Sequence, residues 1–287
     1  MTTTEKIERL GAAKLIGTYA PGSPEWHQAR AGIGGSDIGT IAGKNPWASP
    51  YTLWAKKTGL VPDNIEPNMA MRMGTAFEAP IRDLYREEHP FQTVHETGTW
   101  QSVSNPTWKA NPDGIIEFHD GELGILEIKH SRQYWNDIPP AYMLQVQWYL
   151  HILGLNRGII VSVAGGEYSE WEITYNAEAM GYVEDDVRRF QQHVATNTAP
   201  EWDGSNATYE LVRELSPGLT DGQIELGHLW VNLSNARDDY QRAEKLFNAF
   251  KSATLSQMEG TKIGTYNGER VVTLQARAGK PFITFNH

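Results

Sequence analysis

Asn111-Pro112-Asp113-Gly114, followed by an apolar run and then by Leu126-Glu127-Ile128-Lys129, is the stretch whose reading decides the fold. Residues 113–118 and 123–129 read as two strands joined by a tight turn. Side chains alternate along a strand, so Glu127 and Lys129 share one face while Leu126 and Ile128 share the other. A Glu and a Lys side by side on a central strand are expensive to bury unless they are paired or hold a ligand. A two-residue turn at Asp120-Gly121 would put Asp113 opposite Ile128, on the wrong face. A three-residue loop over 119–121, or a bulge, would put it opposite Glu127. The reading therefore requires the longer loop or a bulge.

Two carboxylates with a lysine can hold a divalent metal and a nucleophilic water beside a phosphodiester. Hard oxygen donors suit Mg²⁺ or Mn²⁺. The plainer readings are a solvated, ion-paired Glu-x-Lys face and an ordinary Pro-Asp-Gly turn. What sets the joint pattern apart is the hairpin spacing and the apolar flanks.

Outward from this hairpin, strands are expected at about 93–100, 107–110, 158–164 and 169–174. Helices are expected over 69–89, 139–153 and 177–195. Pro80 lies inside the first of these, and proline removes a helical hydrogen bond, so a kink or restart is expected near Glu78. Short helices open at Ser23-Pro24, Ser36 and Ser49-Pro50, each with N-cap or first-turn proline chemistry. Strands flanked by helices argue for a mixed α/β sheet. Residues 1–22 read as a loosely held arm and 197–218 as a linker. Residues 221–258 carry a long helical pattern through Ile224, Leu226, Leu229, Leu233, Tyr240, Leu246 and Phe250. The remainder reads as short strands with a tight hairpin at Asn267-Gly268. The expected organisation is a domain over 1–200 and an extension over 201–287.

Composition narrows the function. The 287 residues are 40% hydrophobic and 21% charged, as in an ordinary globular protein. No cysteine is present, which excludes disulfides, zinc–thiolate sites, iron–sulfur clusters and cysteine nucleophiles. No apolar run reaches the roughly 18 residues of a membrane span. The N-terminal residues lack the apolar core of a secretion signal, and a cytoplasmic location is expected. The net charge of −10 argues by itself against nucleic acid, but the charge is unevenly spread. Residues 1–60 carry seven basic and four acidic side chains, residues 61–200 nine and twenty, and residues 201–287 nine and eleven.

The Pro-Asp…Glu-x-Lys pattern resembles the PD-(D/E)XK nuclease superfamily. Further segments are similar to the lambda-exonuclease/YqaJ-type phage recombination exonucleases. They are Trp26-His27-Gln28-Ala29-Arg30 with Gly32-Ile33-Gly34-Gly35-Ser36-Asp37, then Met73-Gly74-Thr75-Ala76-Phe77-Glu78, and Ala141-Tyr142-Met143-Leu144-Gln145-Val146-Gln147. With the hairpin they fall in the family's order over about residues 24–195. The resemblance implies a PD-(D/E)XK nuclease-like mixed central sheet flanked by helices, here with a C-terminal helix-plus-hairpin extension.

It also implies roles. Asp113 and Glu127 would ligate metal, joined by the Ile128 carbonyl, with two ions implied. Lys129 would position or help deprotonate the water, Glu78 would take a further carboxylate position, and Gln145 would hydrogen-bond near the nucleophile or Lys129. Arg30 and Ser36 match residues that grip a terminal 5′-phosphate. Asn111 stands where the lambda-type enzyme has a serine, and its amide can still donate.

The activity implied is 5′ to 3′ degradation of one strand of linear duplex DNA. It would leave a 3′ overhang for a single-strand annealing protein. A ring-like trimer and, for a phage-encoded chain, the bacterial host cytoplasm are implied as well. The other readings are a restriction or repair endonuclease and a non-catalytic DNA-end-binding module. The extension could brace the core, clamp DNA, mediate oligomers or dock a partner.

Overall fold

The computed structural model describes residues 7, 10–19, 22–29, 31–62 and 68–286. The chain forms two units, Met1–Pro217 and Gly218–His287. The first contains, in order, β1 (Ala13–Gly17), α1 (Pro24–Ala29), α2 (Gly35–Ile41), α3 (Pro50–Lys57), α4 (Met69–Glu88), β2 (Thr93–His95), β3 (Thr99–Ser102), β4 (Lys109–Ala110), β5 (Gly114–Glu117), β6 (Leu123–Ser131), α5 (Pro140–Leu153), β7 (Arg157–Ala164), β8 (Glu167–Thr174), α6 (Ala177–Ala195) and α7 (Asn206–Leu215). The second contains α8 (His228–Met258), β9 (Ile263–Tyr266), β10 (Glu269–Arg277) and β11 (Lys280–Phe285).

The central sheet of the first unit has the order β2-β5-β6-β7-β8. Only β6 and β7 run parallel; the other neighbours are antiparallel. A parallel pair needs a crossover, and α5 supplies it. A second, separately hydrogen-bonded sheet has the order β1-β3-β4 and shares the core that includes Ile115 and Ile125.

The β5–β6 hairpin has the register the site needs. Gly114 pairs with Leu126 and Glu117 with Leu123. The Phe118 N–H donates to the Glu122 carbonyl at 2.9 Å, which leaves His119-Asp120-Gly121 as a three-residue loop. Gly121 takes φ +79°, the left-handed conformation such loops require. Continuing this register places Asp113 opposite Glu127.

Two apolar clusters cover the two faces of the sheet. Leu126 and Ile128 join Ile81 and Tyr85 of α4, with Val94, Ile116, Ile159 and Val161. Ile125 and Ile160 join α5, α2, α3 and α6 on the other side, including Val146, Trp148 and Leu150. Helix α5 is apolar nearly all round because it is buried nearly all round, from Gln145 to Leu153. Helix α2 approaches it so closely that a Cβ on Gly35 would come within 2.3 Å of the Tyr149 ring.

Several expectations are corrected. Helix α4 is continuous from Met69 to Glu88 despite Pro80. Arg82 binds Glu78 at 2.5 Å across the proline, and buried Ile81 and Tyr85 anchor the following turn. The arm over 1–22 contains β1, whose Ala13 is buried and pairs with Ser102. The expected strand at 93–100 is split between two sheets, as β2 and β3. The stretch 197–218 is not a bare linker. It contains α7, which packs with the first unit: Ser49 Oγ meets Thr208 Oγ1 at 2.6 Å, and the Tyr51 and Trp202 rings lie 4.9 Å apart. The division between units therefore falls at 217/218 rather than 200/201. Residues 221–227 are not helical, and α8 starts only at His228.

In the second unit, Met258, Val272 and Leu274 form a small core with Leu255 and Ile283 beside it. Tyr266 pairs with Glu269, so Asn267-Gly268 is the expected two-residue turn. Its φ values are +52° and +86°. Among the described residues no helix is long and apolar enough to cross a membrane.

Candidate active site

Strand β6 carries the site on its α5-facing side. Glu127 is buried, and its Oε1 lies 2.7 Å from the Lys129 ammonium. Gln145, projecting from α5, closes the group. Its Nε2 donates to Glu127 Oε1 at 2.7 Å and to the Tyr149 hydroxyl at 2.9 Å, while its Oε1 accepts from Lys129 at 3.2 Å. The Lys129 ammonium also sits 4.7 Å from the Tyr142 ring centroid, a cation over an aromatic face. The triangle Glu127–Lys129–Gln145 is thus fixed by one strand and one helix. Tyr149 was missed in the sequence reading. Its signal was present, since it follows Gln145 by four residues and so shares its helical face.

Asp113 stands just before β5, opposite Glu127. Its Oδ2 accepts from the Ile128 N–H at 2.7 Å, and its own N–H donates to the Leu126 carbonyl at 3.0 Å. These two bonds tie the Asp113 carboxylate to the strand that carries its partner. Burial pushes the Asp113 pKa well above the usual carboxylate range, and the negative charge of Glu127 adds to the rise; the Lys129 charge and the Ile128 N–H oppose it without cancelling it. For Lys129, burial works to lower the pKa, but the Glu127 and Asp113 carboxylates outweigh it and hold the value above that of a free lysine. The arrangement therefore favours the protonated form of Lys129. What keeps it protonated is carboxylate charge, and neutralising that charge would lower its pKa.

Glu78 reaches this neighbourhood from α4, on the opposite face of the sheet. Its charge contributes to the rise at Asp113, while its own carboxylate is bound by Arg82. Two residues of α4 and β6 meet nearby, where the Phe77 and His130 rings stack at 4.9 Å. Among the described residues, no three His, Cys, Asp or Glu side chains are grouped closely enough to hold a metal ion. Asp113 and Glu127 stand opposite one another across the hairpin, and the Ile128 N–H, next along β6, binds the Asp113 carboxylate. An all-oxygen pair in which the Glu127 charge raises the Asp113 pKa is chemically suited to a hard divalent cation.

The proposed phosphate grip is partly in view. Arg30 lies outside the described residues. Ser36 is exposed in the first turn of α2, beside the Gly35 that packs on Tyr149. The glycine loop before it is braced by Asp37, which accepts from the Gly34 N–H at 3.0 Å and pairs with Lys57 at 3.0 Å. Asn111 Oδ1 accepts from the Thr99 hydroxyl at 2.6 Å, so its amide nitrogen is the end left to donate elsewhere. Tyr51 and Trp54 are core residues, whereas Trp47 is 76% exposed. A cavity of about 390 Å³ lined by Leu84, Glu88, His89, Tyr168 and Glu170 shares no residue with the site.

A mixed five-stranded sheet with this Asp…Glu-x-Lys hairpin and a glutamine-bearing crossover helix defines a PD-(D/E)XK nuclease-like fold. Comparison with solved structures agrees. An alkaline exonuclease, LHK-Exo from Laribacter hongkongensis, superposes with a TM-score of 0.51 at 21% identity, covering 67% of this chain and 97% of that one. The same protein in complex with dAMP gives 0.52 at 22% identity. Residues 25–156 match the model of the YqaJ-like viral recombinase domain. The uncharacterized protein YqaJ of Bacillus subtilis (strain 168) is 31% identical over 205 residues, 66% of this chain and 62% of that protein. The match thus spans less than two thirds of that relative's length.

Proposed function

We propose that the chain is a metal-dependent DNA exonuclease that degrades one strand of a linear duplex from its 5′ end. The observation that supports this best is the Asp113–Glu127 pair, opposite one another on neighbouring strands and closed by Lys129 and Gln145. Asp113, Glu127 and the Ile128 carbonyl would hold Mg²⁺, or Mn²⁺ in its place, and two ions are proposed by family resemblance. Bound there, the metal lowers the pKa of a water and offsets charge on the phosphate. The remaining work falls to the chain. Lys129 holds a positive charge where negative charge grows on the phosphate oxygens. Gln145 fixes the Lys129 ammonium and the Glu127 carboxylate relative to each other. Ser36 and Asn111 offer donors to a terminal phosphate, and Arg30 is proposed as its guanidinium clamp. The 3′ overhang that results is the substrate class of a single-strand annealing protein.

End-labelled linear duplexes, with and without a 5′-phosphate, test this reading in Mg²⁺ and in EDTA. Expected is Mg²⁺-dependent release of 5′ nucleotides, faster on the phosphorylated end. Cutting of closed circular DNA would point instead to an endonuclease. Undiminished digestion by a Lys129→Met protein would remove the site.

A further inference from the structure

Within α8 the apolar and small residues recur at alternating intervals of four and three: Leu229, Leu233, Ala236, Tyr240, Ala243, Phe247 and Phe250. This is a heptad repeat, whose period of 3.5 keeps a seam between two supercoiled helices. The seam is open. Leu229, Leu233, Tyr240 and Phe250 are 58–66% exposed, and Phe247 is 49% exposed. The second unit's own core uses a different part of the helix, Leu255 and Met258 near its end. Of the seam residues, Phe247 meets the small sheet, through Phe285 at 5.9 Å. Thirty-one residues give a helix about 46 Å long, enough for four heptads.

We propose that α8 pairs with α8 of a second copy of this chain, as an antiparallel two-stranded coiled coil. Size complementarity selects the second copy and the direction. With Tyr240 set against Ala243 of the other copy, Ala236 meets Phe247, Leu233 meets Phe250 and Leu229 meets Thr254. The twofold axis repeats every layer, so each small residue faces a large one. A parallel pair would stack Ala236 on Ala236 and Tyr240 on Tyr240, alternating voids with crowding.

Charge selects the same alignment. The flanking positions then place Arg237 beside Glu244 of the other copy, twice, and Lys251 beside Trp230. In a parallel pair Asp239 would face Glu244, two like charges. Among the described residues Arg237 has a long contact to Asp238, at 3.7 Å. This pairing is independent of the nuclease reading. It would join two chains whatever contacts the first unit makes.

The test is the mass of the full-length chain by sedimentation at micromolar concentration. Leu233→Asp/Tyr240→Asp should halve the wild-type mass with the far-UV spectrum unchanged. Glu244→Arg should weaken association about tenfold, and Arg237→Glu/Glu244→Arg should restore it. Because the chain has no cysteine, introduced ones report direction without background. Ala236→Cys/Phe247→Cys should form an inter-chain disulfide under mild oxidation, and Ala236→Cys alone should not. A wild-type monomer at about 100 µM, a mass unchanged in the double aspartate variant, or a disulfide from Ala236→Cys alone would each overturn the proposal.

Discussion

The two units of this chain treat their large apolar residues in opposite ways. In the first, Trp100, Trp148, Tyr85 and Leu150 are fully enclosed by sheet and helices. In the second, the long helix turns Trp230, Leu233, Tyr240 and Phe250 outward, and its sole buried residue is Met258. The difference shows what each unit can support. A buried carboxylate beside a half-buried ammonium needs dense packing to exclude water and fix geometry. A helix with an open seam supports no such group, but its exposed stripe is free to be covered by another chain.

This contrast can be broken or sharpened by measurement. The largest effect is expected at Lys129. Lys129→Met should lower Mg²⁺-dependent digestion of linear duplex roughly 10³-fold, about 4 kcal/mol of transition-state stabilisation, with the fold retained. Next is the core. Trp148→Ala removes a buried indole that donates to the Lys109 carbonyl at 3.0 Å, and should cost the first unit about 3–5 kcal/mol in urea unfolding. Phe250→Ala on α8 should cost the isolated chain less than ~1 kcal/mol, and equal costs at the two positions would erase the contrast.

Asp113→Asn should act in the other direction. Burial and the Glu127 charge raise the Asp113 pKa in the fold above its unfolded value, about 3.9. The folded state binds the extra proton, so wild-type stability in EDTA falls as pH rises from that value through the folded pKa. The asparagine keeps an acceptor for the Ile128 N–H and escapes the penalty. Its melting temperature in EDTA at pH 8 should exceed that of wild type, and the gain should vanish near pH 4. The smallest effect is expected at an exposed pair. Arg213→Ala, which loses Glu210 at 2.8 Å, should change stability by less than ~0.5 kcal/mol.

How much of this was legible in advance depended on the range of the interactions. The hairpin was readable because strand alternation and loop length are local rules: they made Asp113 opposite Glu127 conditional on a three-residue loop or a bulge, and the loop has three residues. The Asn267-Gly268 turn was readable for the same reason. Continuity of α4 through Pro80 was not, because the turn after the proline is held by tertiary burial of Ile81 and Tyr85, which spacing alone does not show. Helix α7 was hidden because its polar residues resemble a linker until Ser49, 159 positions upstream, meets Thr208. Glu78 was placed near the site by resemblance. Its approach from the far face of the sheet, with Arg82 attached, could not be read from spacing.

The three-residue loop His119-Asp120-Gly121 touches none of the site's side chains, yet its length governs them. Surface loops ordinarily tolerate insertion and deletion. Here the count itself is the constraint. Removing one residue would slide β5 against β6 by a single position and carry Asp113 to the face of Leu126 and Ile128. The loop acts as a ruler. Its letters can change as long as a residue near position 121 accepts positive φ, but a one-residue change in length would separate the two carboxylates without altering either of them.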